Sequence, residues 1–387
     1  MKLSIDKNIF MKAWQMAERV SASKSPMNVI SGILLDSEGD KTTLLATDLK
    51  TSIKTYVDGI TVKEPGKTVF PVKVVGELFK KASTSIFDIE VDENGKGLLI
   101  SGRNRYRFST YPWEEFPKLP SSSGASSFCE ISKDELHRIL DEGGIAGNMG
   151  EEFPKYLGAE LLQIKNGEFH CVSTDGRRLS LSKAYVDKDS KDQDMLLPLS
   201  SIREFLRILS SVEVESNIKI SLDGALGYFS SDNIEFSVRR VESTFPNYER
   251  ILSPNTTTTL EIDRSQFISA LERVDVVVRD STRMVVLILS PGGDLHLWGK
   301  APDVGEAREV VDGIIKGEPL KVAFNVGYMI DGLKAFHGDS VSLSFNGQEG
   351  QMMMLRPKES DFLYMLMPMK LKSSDLDGLD EFEESPF

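Results

Sequence analysis

The chain has 387 residues, 40% of them apolar and 27% charged, with a formal net charge of −13. That apolar content suffices for several buried cores. No run approaches the ~18 apolar residues that a membrane helix needs, and the opening Met1-Lys-Leu-Ser-Ile-Asp6 lacks the apolar stretch of a signal peptide. Two cysteines, Cys129 and Cys171, do not make a disulfide framework, which fits a cytoplasmic protein.

In chain order, the first predicted element is a helix opening at Ile5-Asp6-Lys7. Asp6 is its N-cap, and Ile9, Phe10, Ala13, Trp14 and Ala17 form its apolar stripe. A strand and polar turn follow at Leu44 to Asp48, then an alternating strand from Thr51 to Val57, then a second helix from Pro71 to Phe79. The order then starts again. A helix opens at Ile131-Ser132-Lys133, a strand and turn run from Cys171 to Asp175, a helix starts at Pro198, and a strand spans Ile218 to Leu222. It starts a third time with Ile262-Asp263-Arg264, the strand Leu295 to Lys300, the helix from Asn325 and the strand Val341 to Phe345. Pro71, Pro198 and Asn325 are spaced 127 residues apart. That period is the size of a domain, far above the 20–50 residues of a solenoid.

Asx-Gly and Gly-Gly turns at Asn94, Asn166, Asp223, Gly292 and Asn346 separate the strands. With two short helices and several antiparallel strands per repeat, the fold class reads α+β, three similar domains of two helices packed on sheets. Small polar linkers at Leu119 to Ser127 and Ser253 to Thr259 place the domains at 1–122, 126–253 and 257–371. Residues 372–387 carry six acids and one base and read as a disordered tail.

Charge is unevenly spread. The six predicted helices hold 11 Lys and Arg against 8 Asp and Glu, whereas the whole chain is strongly acidic. Ten of these basic side chains are candidates for one common surface, Lys12, Arg19, Lys80, Lys81, Arg138, Arg203, Arg207, Arg264, Arg273 and Lys334, with Lys24 in a nearby loop. They suit phosphate contacts that position a duplex without reading its sequence, or a merely mixed helix surface. Phosphate loops, His-Glu-x-x-His and Cys-x-x-Cys are missing, and the four histidines do not cluster at metal-ligand spacing. Asp48 and Asp175 occupy equivalent positions in two repeats and read as bracing the same turn twice, not as a catalytic pair. A non-enzyme without cofactor or metal is expected.

Six segments, in order, resemble the bacterial sliding clamp, the beta subunit of DNA polymerase III. They are Ala46-Thr-Asp-Leu49, Ser101 to Thr110 leading into Phe116-Pro117, Ser173-Thr-Asp-Gly-Arg-Arg-Leu179, Val241 to Leu252, Phe324-Asn-Val-Gly-Tyr328 and Met367-Pro-Met-Lys-Leu371. The resemblance covers about residues 1–371. It implies a head-to-tail homodimer, a closed ring of six similar units with helices lining the hole. Such a ring encircles duplex DNA and tethers the replicative polymerase, in the cytoplasm and near the nucleoid.

The resemblance places one side of the dimer seam at Tyr106 and Phe108 and the other at Val276 and Val277, following the first helix of the third domain; core packing is the other reading of all four. It also implies a pocket between the second and third domains for short peptides of the polymerase and the clamp loader. Its residues are Leu157, Thr174, Gly176, Arg177, Arg178, Leu179, Pro246, Arg250, Ile251, Asn325, Tyr328, Met365, Met367, Pro368 and Met369. Leu179, Pro246 and Ile251 are expected to form its apolar floor, with Arg178 and Arg250 at its rim and methionines as an adaptable wall.

The chain departs from the family in an acidic Met149-Gly-Glu-Glu152 loop, which weakens DNA contact there, and in the tail, whose Leu376, Leu379 and Phe382 could compete for the pocket. Two readings outside the family remain open: a peptide-binding scaffold that encircles nothing, and a hydrolase of unrecognised pattern.

Overall fold

The computed structural model describes residues 1–150, 153–187, 190–212, 216–252, 256–347, 352–356 and 359–372. The tail from residue 373 on, with Leu376, Leu379 and Phe382, lies outside them, as do Glu151, Glu152 and the linker residues 253–255.

The described chain is α+β, with six α-helices and antiparallel sheets. It forms two compact units, the first from residues 1–138, 164–167 and 186–241, the second from 139–163, 168–185 and the chain from Glu242 on. This division cuts through the second repeat, because the sheets join neighbouring repeats.

In the first unit, β1 (Lys2–Asp6), β5 (Ile60–Glu64), β7 (Ile86–Val91), β8 (Lys96–Ser101) and β9 (Asn104–Ser109) form a sheet in the order β5-β1-β7-β8-β9. A second sheet takes β2 (Gly32–Asp36), β3 (Thr43–Thr47), β4 (Thr51–Tyr56) and β6 (Lys67–Pro71) from the first repeat. From the second it takes β10 (Ser126–Ile131), β15 (Ile218–Asp223), β16 (Leu226–Ser230) and β17 (Ile234–Arg239). The two repeats meet where β17 pairs with β4, Phe236 opposite Ile53. β14 (Gln193–Pro198) leads into the fourth helix.

In the second unit, β11 (Ala159–Lys165), β12 (Glu168–Thr174) and β13 (Arg178–Tyr185) come from the second repeat. β18 (Thr258–Asp263), β22 (Gly313–Gly317), β24 (Ser340–Phe345), β25 (Met352–Arg356) and β26 (Glu359–Leu366) come from the third. They run in the order β11-β12-β13-β26-β25-β24-β18-β22. Here the repeats meet where β13 pairs with β26, Arg178 opposite Leu366. β19 (Met284–Leu289), β20 (Leu295–Ala301), β21 (Gly305–Val311) and β23 (Leu320–Asn325) form a last sheet, β21-β20-β19-β23.

The helices are α1 (Lys7–Val20), α2 (Glu77–Lys81), α3 (Lys133–Gly143), α4 (Leu199–Ser211), α5 (Arg264–Val278) and α6 (Val326–Ala335); a π turn, Val72–Gly76, precedes α2. The predicted caps hold. Asp6 accepts from the backbone N–H of Asn8 and Ile9, Ser132 Oγ from Glu135 and Asp263 from Gln266. These bonds satisfy orphan donors of a helix start and typically contribute about 1 kcal/mol each.

The apolar faces pack as the stripes require. In the first unit Phe10, Trp14, Phe70, Phe79 and Phe87 interlock, Phe79 meeting Trp14 edge-on at 4.9 Å and stacking on Phe87 at 5.3 Å. Burying one such ring stabilises the fold by about 1.5–3 kcal/mol. In the second unit α5 lies against its sheet through Phe267, Leu271, Val274 and Val278.

Val276 and Val277 therefore sit in the last turns of α5 and not after it. The run Val276-Val277-Val278 is a poor helix former by propensity. Val274 and Val278, one helical turn apart and both fully buried, carry the helix on. β20 passes close beneath because Gly299 has no side chain; a Cβ there would stand 2.7 Å from Val274.

Candidate functional site

The turn after β12 repeats the turn after β3. In the first, Thr47 Oγ1 donates to Thr51 O and accepts from Leu49 N–H, while Asp48 Oδ1 accepts from the N–H groups of Lys50 and Thr51. In the second, Thr174 Oγ1 donates to Arg178 O and accepts from Gly176 N–H, while Asp175 Oδ1 accepts from Arg177 and Arg178 N–H. Both turns need one residue in the left-handed region, Leu49 (φ 74°) in the first and Gly176 (φ 84°) in the second. Glycine takes that conformation without strain. The two aspartates brace one turn design, as the sequence implies.

The second turn does more. It ends on Arg178, which stands where the first has Thr51. The Arg178 guanidinium donates through Nε to Asp175 Oδ2 (3.0 Å), and through Nη1 to Asp331 Oδ2 (2.9 Å) and Tyr364 Oη (3.1 Å). It also lies over the Tyr328 ring, 4.2 Å from its centroid. The Tyr364 hydroxyl donates to Tyr328 O (3.0 Å). Burial works against the guanidinium charge, but the hydrogen bonds to Tyr364 and Asp331 and the Asp175 carboxylate outweigh it, and its pKa stands above the ordinary value. Burial holds the Tyr364 phenol protonated by pushing its pKa up. Arg178, whose side chain is 12% exposed, is thus a built-in strut and not a rim residue.

The predicted peptide-site residues all lie within the second unit, and several of them are tied to that strut or its turn. Asn325 caps α6 by accepting from Tyr328 N–H (3.1 Å), which places Tyr328 in the first turn of α6 beside Arg178. Met367 N–H donates to Arg177 O (2.8 Å). Met369 N–H donates to Ala323 O (2.7 Å), so the segment after β26 is held at both places. Met367 is 41% exposed; Leu179 and Met365 face each other across β13 and β26 and are buried. Met369 and Leu371 pack over Val286, Ile288, Trp298 and Ala323.

Pro246, Arg250 and Ile251 belong to a strand-free segment containing a 3-10 turn, Tyr248–Arg250. Pro246 and Ile251 are partly exposed and Arg250 is exposed. Leu157 lies in another 3-10 turn, Lys155–Gly158, and is partly exposed. The Phe245 ring stands edge-on to Tyr156 (5.8 Å) and to Tyr248 (6.4 Å). Sequence reasoning missed Asp331, Tyr364, Tyr156 and Phe245. Asp331 and Tyr364 are remote in sequence from Arg178; β13–β26 pairing brings Tyr364 to it, and α6 carries Asp331.

The basic helix residues are mostly partnered. Lys80 contacts Glu18 and Glu77, Lys81 contacts Glu77, Arg138 contacts Glu135, and Arg19 and Arg207 contact Glu204. Arg273 meets Glu309 and Lys334 meets Glu272. Arg264 donates to the Gly338 and Leu333 carbonyls at the end of α6. Lys12 and Lys24 are exposed and Arg203 half-buried. Such surface pairs are weak and exchangeable.

Of the four residues expected at a dimer seam, Tyr106 and Val276 are 37% and 60% exposed, Val277 is half-buried against the core, and Phe108 is buried. Phe108 lies beside Phe70, at 6.0 Å, and over Gly97, where a Cβ would clash at 2.2 Å. Phe108 is therefore a core residue of its own unit and no surface contact. β9 and β21 are each the last strand of their sheets. Among the described residues no group of three or more His, Cys, Asp or Glu could hold a metal ion, and no helix is long and apolar enough to cross a membrane.

Sequence models of the N-terminal, central and C-terminal domains of the DNA polymerase III beta subunit match residues 1–120, 130–247 and 249–370. The chain is 27% identical to the beta sliding clamp of Pseudomonas aeruginosa over 376 residues, covering 96% of this chain and all of that protein. It is 23% identical to the beta sliding clamp of Bacillus subtilis over 380 residues, again covering 96% of this chain and all of the relative. The crystal structure of the P. aeruginosa beta subunit superposes with a TM-score of 0.89 at 27% identity, and the B. subtilis sliding clamp with 0.90 at 22%; each comparison spans 96% of this chain and all of the other. The chain belongs to the DNA polymerase III beta subunit family, the beta sliding clamps, which serve replication as processivity factors and have no catalytic site of their own.

Proposed function

We propose that two copies of this chain close head to tail into a ring that slides on duplex DNA and holds the replicative polymerase and the clamp loader through the Arg178 site. One observation carries the ring. By the 127-residue repeat, β4, β13 and β21 are equivalent, and so are β9, β17 and β26. Within the chain β4 pairs with β17, and β13 pairs with β26. β21 and β9 are left as open edges. The same pairing between copies joins β21 of one protomer to β9 of its partner, and a head-to-tail contact of this kind closes by symmetry.

The charges agree. β9 and its turn expose Arg103, Arg105 and Arg107, whereas β21 and its turn carry Asp303, Glu306 and Glu309. Electrostatic complementarity of this sort sets register and suppresses wrong pairings. Tyr106, Val276 and Val277 then flank the seam as apolar contacts. With domains at 1–122, 126–253 and 257–371, each ring carries six repeats.

The helices supply Lys12, Arg19, Lys80, Lys81, Arg138, Arg203, Arg207, Arg264, Arg273 and Lys334, with Lys24, as non-specific phosphate contacts. Their exchangeable pairing with helix acids keeps the grip on DNA loose, which sliding requires.

The peptide site takes two large apolar side chains against Leu157, Pro246, Ile251 and Met367. Each buried side chain contributes about 1.5–3 kcal/mol before ordering costs, which suits exchangeable partners. The protein then works in the bacterial cytoplasm beside the nucleoid. Electron microscopy of the purified protein tests the ring: closed sixfold outlines with a hole wide enough for a duplex are expected, and discrete three-lobed crescents at high concentration contradict it.

A further inference from the structure

We propose that His170 is a positioning residue for the peptide site, fixing the segment Pro246 to Ile251 through the Tyr248 phenol; the inference rests on the peptide-site reading above. His170 lies in β12 and is 6% exposed. Its Nδ1 is 2.8 Å from Tyr248 Oη, and its Nε2–H donates to Glu168 Oε2 at 2.8 Å. Lys183 Nζ donates to the same carboxylate oxygen (3.3 Å), and Tyr248 Oη also lies 2.9 Å from Gln163 Oε1. His170 from β12 and Gln163 from β11 thus both stand at hydrogen-bond distance from the phenol, whose single O–H donates to one of them at a time.

The gripped residue is where the segment needs fixing. Residues 240–252 contain no strand, so no ladder sets their position. Tyr248, itself 4% exposed, opens the 3-10 turn, and its carbonyl accepts from Ile251 N–H (3.0 Å). Pro246 precedes it by two residues and Arg250 follows by two. Through Phe245 the same ring reaches Tyr156 and the Leu157 turn. β12, which carries His170, ends on Thr174, the start of the Arg178 turn. One buried hydrogen-bonded chain therefore references both flanks of the site to one strand. A site held loosely by about an ångström loses affinity even with every contact residue present.

The test compares wild type, His170→Ala, Tyr248→Phe and His170→Asn as full-length chains. Labelled peptides tiled along the cognate replicative polymerase are screened on wild type, and the tightest is titrated by fluorescence anisotropy. All titrations are run well below each variant's melting temperature, measured in parallel. Loss of the phenol bonds in Tyr248→Phe, or of the imidazole in His170→Ala, is expected to weaken the peptide roughly fivefold to tenfold. His170→Asn, whose amide can occupy the Nδ1 position, is expected to recover most of that loss. Tyr248→Phe keeps the ring in its packing and so remains informative if His170→Ala fails to fold. Wild-type affinity in folded Tyr248→Phe overturns the positioning role, as does equal loss in His170→Asn and His170→Ala. If wild type binds no peptide while Met367→Ala behaves identically, the peptide-site reading itself falls and takes this inference with it.

Discussion

The Arg178 guanidinium lies 4.2 Å from the centre of the Tyr328 ring, joining a turn of the second repeat to the first turn of a helix in the third. The contact is possible because β13 and β26 pair across the repeat border and because Asn325 caps α6 at the right place. Lysine at 178 keeps the charge but loses the planar fork and the stacking. Arg178→Lys is expected to cost about 1.5–3 kcal/mol of peptide affinity, and to lower the melting temperature as Asp175 loses its Nε–H donor. Anisotropy and thermal melting of the same preparation check both.

Met367 is the exposed methionine of the closing segment, and Met365 is not. Met367→Ala is therefore expected to weaken peptide binding by about 1–2 kcal/mol without changing the dimer. Adding a deletion of residues 368–371 is expected to abolish binding. It also uncovers the Trp298 cluster on which Met369 and Leu371 pack, so its melting temperature falls, whereas that of Met367→Ala does not.

At the proposed seam, Val276 is 60% exposed and Val277 packs on the core. Val276→Glu is expected to bury an unpaired charge in the closed ring and to give monomers that melt like wild type with the ring dissociated. Val277→Glu is expected to give monomers that are also destabilised. Light scattering of each variant reads the first effect, and a persistent dimer in Val276→Glu contradicts the placement.

Much of this was legible in the sequence, and the exceptions have local causes. The Thr47-Asp48 and Thr174-Asp175 turns could be read directly, since Thr and Asp bond their own following backbone. The caps at Asp6, Ser132 and Asp263 were equally plain. Phe108 was not: alternation puts Tyr106 and Phe108 on one face of β9, and only the bare backbone of Gly97 opposite lets Phe108 sink to Phe70. The end of α5 was hidden because tertiary burial of Val278 overrides the propensity of a valine run. The burial of Arg178 was not legible either, as its partners Asp331 and Tyr364 are more than 150 residues away.

Acid should loosen the fold through β12. Burial lowers the pKa of His170 below its ordinary value, against the pull of Glu168, and the His170 hydrogen bond lowers that of Glu168. Between its folded pKa and about 6.5 the unfolded histidine binds more protons than the folded one, so stability rises with pH there. It is fully present above about pH 6.5 and is lost as pH falls through the folded pKa. The Glu168 contribution is lost in the same direction at lower pH. Melting temperature is expected to drop below about pH 6.5 in wild type and to vary less in His170→Asn.

The central claim is topological, and one measurement addresses it directly. Labelled protein is assembled on nicked circular DNA with its clamp loader, separated from free protein by gel filtration, and the circle is then cut once with a restriction enzyme. A closed ring stays with the circle and leaves when the DNA becomes linear, because sliding carries it off the ends. Retention that is unchanged by the cut contradicts encirclement and leaves a protein that binds DNA by ordinary surface contacts.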